Sequence, residues 1–158
     1  MTSSYQTVET IRKQQQERVA QWTQELCDAL VKDFQRCAIE RHTLAMLMCD
    51  KDEEFTIKYH QKRILEAESG DNLYKFYPET GRKYHKVVME CEDGSRSVHA
   101  FVDKNTGEVY KSASWKSPAK GVRYDLRLIE ERNNMFEKCD WAGGYLYQDT
   151  CDRLKNVG

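Results

Sequence analysis

One stretch near the N-terminus constrains the fold of this chain more than any other. Residues 7–37 contain neither glycine nor proline, the two residue types that most often interrupt a helix. Apolar residues recur within this stretch at the spacing of one helix face, at Trp22, Leu26, Leu30 and Phe34. The pattern predicts a long amphipathic helix whose apolar stripe packs against the rest of the protein.

The following segment is also typical of helices. The apolar run at residues 43–49 either continues the first helix or forms a separate buried turn. The charged segment after it predicts a second helix that ends near Ser69 and Gly70, because glycine commonly follows a helix C-terminus. Residues 1–70 are therefore predicted to form the helical part of the chain.

Glycines recur at a regular interval in the middle of the chain. Gly81, Gly94 and Gly107 lie thirteen residues apart, and each closes a short cluster of turn-forming residues. The segments between them are rich in β-branched and aromatic residues, as strands are. They predict an antiparallel meander of four strands, at residues 73–77, 83–91, 96–103 and 108–112.

Alternation within the second predicted strand indicates that both sheet faces are partly covered. Val87 and Met89 fall on the same face as His85, whereas Val88 falls on the opposite face with Tyr84. We expect the N-terminal helix to cover one of these faces. A tight turn at Gly94 would place His85 opposite Val102, and would place His99 opposite Val88.

A C-terminal helix is predicted from Ser117 and Pro118. Serine is a favoured N-cap and proline a favoured first helical residue, so the pair predicts a helix that runs on through residue 139. The complete expectation is a single α+β domain over residues 1–158. Its N-terminal helices precede a four-stranded antiparallel meander sheet, and its C-terminal helix packs on the sheet within residues 71–158.

Composition narrows the classes of function. The formal net charge is −1 with both signs mixed along the chain, which removes the simplest argument for bulk binding to nucleic acid or to a membrane. No apolar run approaches the roughly 20 residues that a membrane span needs, and the N-terminus lacks the apolar core of a signal peptide. These features predict a cytoplasmic protein without a membrane partner. The cysteines and histidines show no closely spaced ligand pairs, so no metal or other cofactor is predicted.

The segment from Lys111 to Arg123, here called the basic loop, carries four cations and no carboxylate. A helix that began at Pro118 would direct its unpaired backbone N–H groups and positive dipole end towards these cations, forming an anion site. Trp115 would add an aromatic face on which a base can stack. We therefore expect a phosphate-bearing ligand, a nucleic acid or a nucleotide. The candidate binding residues are Lys111, Ser114, Trp115, Lys116, Lys120 and Arg123.

Other interpretations of the chain stay open. In the first, the lysines are only solvated, Trp115 fills the core below the loop, and Arg123 pairs with Asp125 or Glu130. In the second, the N-terminal helix binds another protein or a second copy of the chain, because its first third is polar on all sides. An enzyme ranks third, since the chain has neither the GxSxG motif of hydrolases nor a GxGxxG or GxxxxGKS nucleotide motif.

The segment HAFVDKNTGEVYKSASWKSPAKGVRYDL, at residues 99–126, resembles a segment of small, uncharacterised proteins of tailed bacteriophages. The matching part covers the third predicted strand, the hairpin, the ASWKxPAK loop and the arginine beyond it. The resemblance implies a viral origin and no particular activity. It implies the cytoplasm of an infected bacterial host as the setting, and a host or phage protein as the partner in the second interpretation.

Overall fold

The computed structural model describes the backbone of residues 4–147 and the side chains of residues 7–147. The helices are α1 (Ser4–Met48), α2 (Glu54–Glu68) and α3 (Ile129–Lys138), followed by a 3₁₀ turn at Gly144–Leu146. The strands are β1 (Lys75–Thr80), β2 (Tyr84–Glu90), β3 (Arg96–Asp103), β4 (Glu108–Lys111) and β5 (Tyr124–Asp125). Each strand pairs antiparallel with the next, in the order β1-β2-β3-β4-β5. The predicted α+β meander is confirmed, with a short fifth strand added.

Helix α1 continues through most of the run at residues 43–49, as one of the two alternatives predicted, and buries only its middle. It has 45 residues, about 67 Å of helix, and includes most of the apolar run at 43–49. Its buried positions follow the helical repeat and are Val19, Thr23, Leu26, Cys27, Leu30, Phe34 and Ala38. Residues 7–14 are exposed on every side. Among residues 4–147, no helix combines the length and apolar character needed to cross a bilayer.

Helix α2 folds back along α1 and stops where the sequence predicts. Ser69 caps its C-terminus, and Gly70 follows with φ of +86°, a left-handed conformation that glycine adopts readily. Gln35 Nε2 on α1 donates a hydrogen bond of 2.8 Å to the carbonyl oxygen of Ala67. This bond fastens the end of α2 to the middle of α1.

The sheet has an inner face that packs on the helices and an outer face that does not. Phe76, Val87, Ala100 and Val102 point inward and share one core with buried residues of all three helices. His85 pairs with Val102 as expected. The register then shifts by one residue between Val87 and Val88, so that Val88 pairs with Val98 and the predicted His99–Val88 pairing is wrong. His99 is the extra residue of a β-bulge.

The predicted helix start at Ser117 and Pro118 is wrong. Residues 112–123 turn back and pair with the free edge of β4. Pro118 forms an isolated antiparallel bridge with Ser112, and the amide of Ala119 donates to the carbonyl of Lys111 at 2.7 Å. The amide of Arg123 likewise donates to Val109 at 2.7 Å. An unpaired strand edge offers backbone partners over its length, whereas a helix N-terminus leaves its first N–H groups unpaired. The C-terminal helix α3 begins only at Ile129.

The segment after α3 closes the inner side of the sheet around His99. The Nε2 atom of His99 lies 2.8 Å from the hydroxyl oxygen of Tyr145, and its ring meets Phe76 edge-on at 5.6 Å between centroids. Burial lowers the pKa of His99 to about 4, because a charged imidazolium would lose its hydration there. The imidazole is therefore neutral at pH 7 and can accept a hydrogen bond from the hydroxyl of Tyr145.

Truncating the centre of the α1 stripe tests this packing. Leu30 is fully buried, so Leu30→Ala removes apolar contacts and leaves a cavity, with an expected loss of about 2–5 kcal/mol in unfolding free energy. Lys32→Ala, at an exposed position on the same helix, is the control and should change stability by less than about 0.5 kcal/mol. Urea unfolding followed by circular dichroism measures both. Equal effects would contradict the packing described.

The neutral state of His99 predicts an acid-sensitive fold. Below its ordinary pKa of 6.5, the unfolded chain takes up a proton at His99 that the folded chain resists until about pH 4. Stability should therefore fall as the pH is lowered through this window. The loss from His99 should be on the order of 1–3 kcal/mol.

The His99→Gln variant lacks the titrating group and isolates this contribution. Its unfolding free energy, measured in urea from pH 7 to pH 4, should fall less steeply than that of the wild type. A smaller slope should persist in the variant, because burial and Lys104 also lower the pKa of His85. Identical slopes in the two proteins would refute the assignment to His99.

Candidate functional site

The basic loop is a tight turn that projects from the edge of the sheet. The hydroxyl oxygens of Ser114 and Ser117 lie 3.0 Å apart, and Ser114 Oγ accepts from the amides of Lys116 and Ser117 at 3.3 and 3.2 Å. The amides of Ala113 and Ser114 both donate to the carbonyl of Ser117. These bonds hold Trp115 and Lys116 at the tip. Ser114 therefore shapes the turn, and its hydroxyl is engaged within it.

Trp115 lies over the outer face of the sheet and does not fill the inner core. Its ring centroid is 4.9 Å from Lys86 Nζ and 5.1 Å from the guanidinium carbon of Arg96. In the strand register the Val88–Val98 pair lies between these two cations on the outer face. Both valines are buried, whereas Trp115 keeps 38% of its surface exposed. The tryptophan thus covers the outer face and still presents aromatic surface to solvent.

Three of the four cations of the basic loop lie in two different environments. Lys116 and Lys120 are exposed and have no carboxylate partner among residues 7–147. Lys111 has its Nζ atom 4.8 Å from the ring centroid of Tyr147 and lines a cavity of about 320 Å³ on the inner side of the sheet. Lys111 and Trp115 therefore belong to different sides of the sheet.

Arg123 is bonded to backbone carbonyls and does not pair with Asp125 or Glu130. Its Nε donates to the carbonyl of Leu146 at 2.6 Å, and its Nη1 donates to those of Lys120 and Gly121 at 3.2 and 3.1 Å. Asp125 instead pairs with Arg127. Three bonds to carbonyls tie Arg123 to the loop and to the C-terminal segment, which gives it a positioning role.

Sequence reasoning missed two cations that the fold brings to Trp115. Lys86 belongs to β2 and Arg96 to β3, so both are distant in sequence from the basic loop. The only available signal was alternation, which assigns Lys86 to the same strand face as Tyr84 and Val88. Arg96 is also paired with Glu79, and this hydrogen bond raises the pKa of the guanidinium. Lys86 has no such partner among residues 7–147.

The assembled site consists of an exposed aromatic ring with side-chain cations around it. We call Lys86, Arg96, Trp115 and Lys116 the Trp115 cluster. It no longer includes a helix terminus, because α3 begins at Ile129. Within residues 4–147, no group of three or more histidine, cysteine or acidic residues is arranged to hold a metal ion. The chemistry available at the Trp115 cluster is ring stacking and charge attraction.

Comparison with known proteins identifies the family of the chain. No curated protein matches the sequence, and no solved structure matches the fold. One family model, described as a family of unknown function (DUF7717), matches residues 2–148 and therefore covers every element described above. The chain belongs to this family of unknown function.

Proposed function

We propose that this protein binds a phosphate-bearing ligand, a nucleic acid or a nucleotide, at the Trp115 cluster of the basic loop. The observation that carries the proposal is Trp115 itself, which is partly exposed and has two cations within about 5 Å of its ring centroid. A large exposed aromatic ring flanked by cations suits a ligand that combines a flat base with a negative phosphate.

The six candidate residues take different roles in this proposal. Trp115 and Lys116 contact the ligand, together with Lys86 and Arg96 from the strands. Lys120 is exposed and lies close to Lys116 in the sequence. It adds electrostatic attraction for the ligand at longer range. Ser114 and Arg123 hold the loop in shape, and Lys111 supports the C-terminal segment on the inner side. No helix N-terminus takes part in the site, because α3 begins only at Ile129, so binding depends on side-chain charge and is sensitive to salt.

The setting that we propose is the cytoplasm of a bacterium infected by a tailed phage. This part of the proposal is supported by the resemblance of residues 99–126 to phage proteins. A phage protein in that compartment meets nucleic acids and nucleotides at high concentration.

A second candidate function is contact with another protein through the start of α1. Val8 and Ile11 are 55% and 57% exposed and lie one helical turn apart. They line an open groove of about 610 Å³ with Gln15, Gln16 and Asn105. Gln15 and Gln16 bond to Asn105 at 2.8 and 2.6 Å, which ties the helix to the β3–β4 turn beside the groove. A host protein, a phage protein or a second copy of the chain could pack there.

Removing two cations of the Trp115 cluster tests the first proposal. We expect the Lys86→Ala/Lys116→Ala double variant to bind a fluorescein-labelled 20-nucleotide single strand about tenfold more weakly than the wild type at 50 mM salt. The slope of log affinity against log salt should become shallower by about 1.4. Fluorescence anisotropy measures both quantities.

A matched control separates the site from overall charge. Lys58→Ala/Lys62→Ala removes two exposed lysines of α2 and changes the net charge equally, so it should leave affinity nearly unchanged. Equal weakening by the two double variants would contradict the site. Absence of binding by the wild type to single strands, duplexes and nucleotides at 20 mM salt would overturn the proposed function.

The second candidate predicts self-association that depends on the α1 groove. If two copies pack through this surface, light scattering at high protein concentration should give the wild type the mass of a dimer. Val8→Asp/Ile11→Asp should then give the mass of a monomer, because it introduces two charges into the contact. An unchanged mass in the variant would rule out self-association through these residues.

A further inference from the structure

We propose that the ligand is a single-stranded nucleic acid whose bases stack on the outer face of the sheet, beyond the basic loop. This inference rests on the proposed function and extends it from one ring to several. Single-strand binding proteins combine cations along the backbone with a series of aromatic side chains. The outer face has the same two ingredients.

The strand register places aromatic side chains from three strands on the outer face. Phe101 pairs with Tyr110 on one side and with Lys86 on the other, and Tyr84 is the outward residue next to Lys86 on β2. Tyr84 meets Phe101 edge-on at 5.5 Å and Tyr110 at 6.2 Å between centroids. Phe101 is fully buried below its neighbours, while both tyrosines are half-buried. Tyr84 and Tyr110 thus pack against each other, and Phe101 is buried beside them.

A further tyrosine and Trp115 extend this group of rings across the outer face towards β1. Tyr77 on β1 pairs with Val88, so it also points outward. The guanidinium carbon of Arg96 is 5.7 Å from the ring centroid of Tyr77 and 5.1 Å from that of Trp115. One arginine therefore contacts both rings. We call Tyr77, Tyr84, Tyr110 and Trp115 the aromatic layer.

No helix described in the structure packs on the outer face. The buried residues of the three helices belong to the core on the inner face, with Val87, Ala100 and Val102. Val88, Val98 and Phe101 are also buried but do not belong to that core, and the strand register places them on the outer face. The aromatic layer therefore has no helix packed over it within residues 7–147.

Two lysines beside the aromatic layer have no carboxylate partner among residues 7–147 and are available to phosphates. Lys83 Nζ lies 5.3 Å from the ring centroid of Tyr84, and Lys86 lies beside Trp115. The acidic groups on the same face keep their negative charge, and each is held by a partner within the protein, as Asp125 is by Arg127. Glu79 pairs with Arg96, Glu90 with Lys75, Asp103 accepts backbone amides, and Glu108 accepts the Tyr110 hydroxyl.

The presence of several rings in the aromatic layer favours a single strand over the other phosphate-bearing ligands. A mononucleotide has one base and occupies one ring, so it gains nothing from the rest of the layer. The bases of a duplex are stacked on one another and are not available to a side-chain ring. An unpaired strand can place successive bases on successive rings while its phosphates reach the lysines. Every base has a stacking face, so we expect little sequence preference.

Affinity measurements with the full-length chain test this inference. The probes are fluorescein-labelled 20-nucleotide single strands of DNA and RNA, the corresponding DNA duplex, and a fluorescent ATP analogue. We expect a single strand to bind at least about tenfold more tightly than the duplex or the nucleotide. Tyr77→Leu should weaken single-strand binding about tenfold, because it removes a ring outside the basic loop.

Tyr77→Phe is the matched variant. It keeps the ring and removes only the hydroxyl, which lies 3.4 Å from Glu90. It should therefore bind within about twofold of the wild type. If Tyr77→Leu does not fold, as judged by circular dichroism, Tyr84→Leu and Tyr84→Phe form the replacement pair with the same expectation.

The outcomes separate this inference from the proposed function. If the duplex or the nucleotide binds as tightly as the single strand, the inference is overturned. The same holds if the leucine variant binds like the wild type. In both cases a loss of binding in Lys86→Ala/Lys116→Ala would still support the proposed function. If no probe binds the wild type, both fall together.

Discussion

The packing of α1 on the inner face of the sheet is the contact on which the rest of the structure depends. The buried side chains of α1 between Val19 and Ala38 share one core with the inward residues of the sheet. A helix is about 10 Å across, whereas five strands span about 20 Å. One long helix therefore covers part of one face. Residues from α3 and the C-terminal segment, including Met135 and Leu146, complete the core on that side.

The outer face has to be covered by another means. Val88, Val98 and Phe101 are apolar and would be exposed on a bare sheet. The chain covers them with tyrosines, the stems of long cationic side chains, and the tryptophan of a single turn. A surface covered in this way carries aromatic rings with cations beside them as a consequence of how it is buried. The features on which the proposed binding depends are therefore the same ones that shield the apolar strands.

A competition between two backbone arrangements determines the site. Ser117 and Pro118 have the local chemistry of a helix start, but the free edge of β4 lies close by and offers unpaired backbone groups. Pairing with that edge places Trp115 over the outer face and aligns Arg123 with the carbonyl of Leu146. A helix at Pro118 would have left the strand edge open. The same choice turns Arg123 from a candidate ligand contact into a residue that holds the loop.

Elements that depend on local or periodic signals could be predicted from the sequence. The helical repeat of Leu26, Leu30 and Phe34 predicted α1, and the evenly spaced glycines predicted a meander of antiparallel strands. It also singled out the basic loop by its charge and its tryptophan. These features were accessible because each depends on a pattern among residues that are close together in the sequence.

The set of residues that meet at Trp115 follows from the packing and register of the strands and from no local pattern. Lys86 and Arg96 reach it because β2 and β3 pair with the register shift at Val88, and neither has a sequence signal that links it to the loop. The basic loop turns back along the sheet because the carbonyl groups that accept from its amides lie on β4. A strand edge can pair with another segment only after the sheet has formed. Local capping preferences at Ser117 therefore could not predict that the loop pairs with β4.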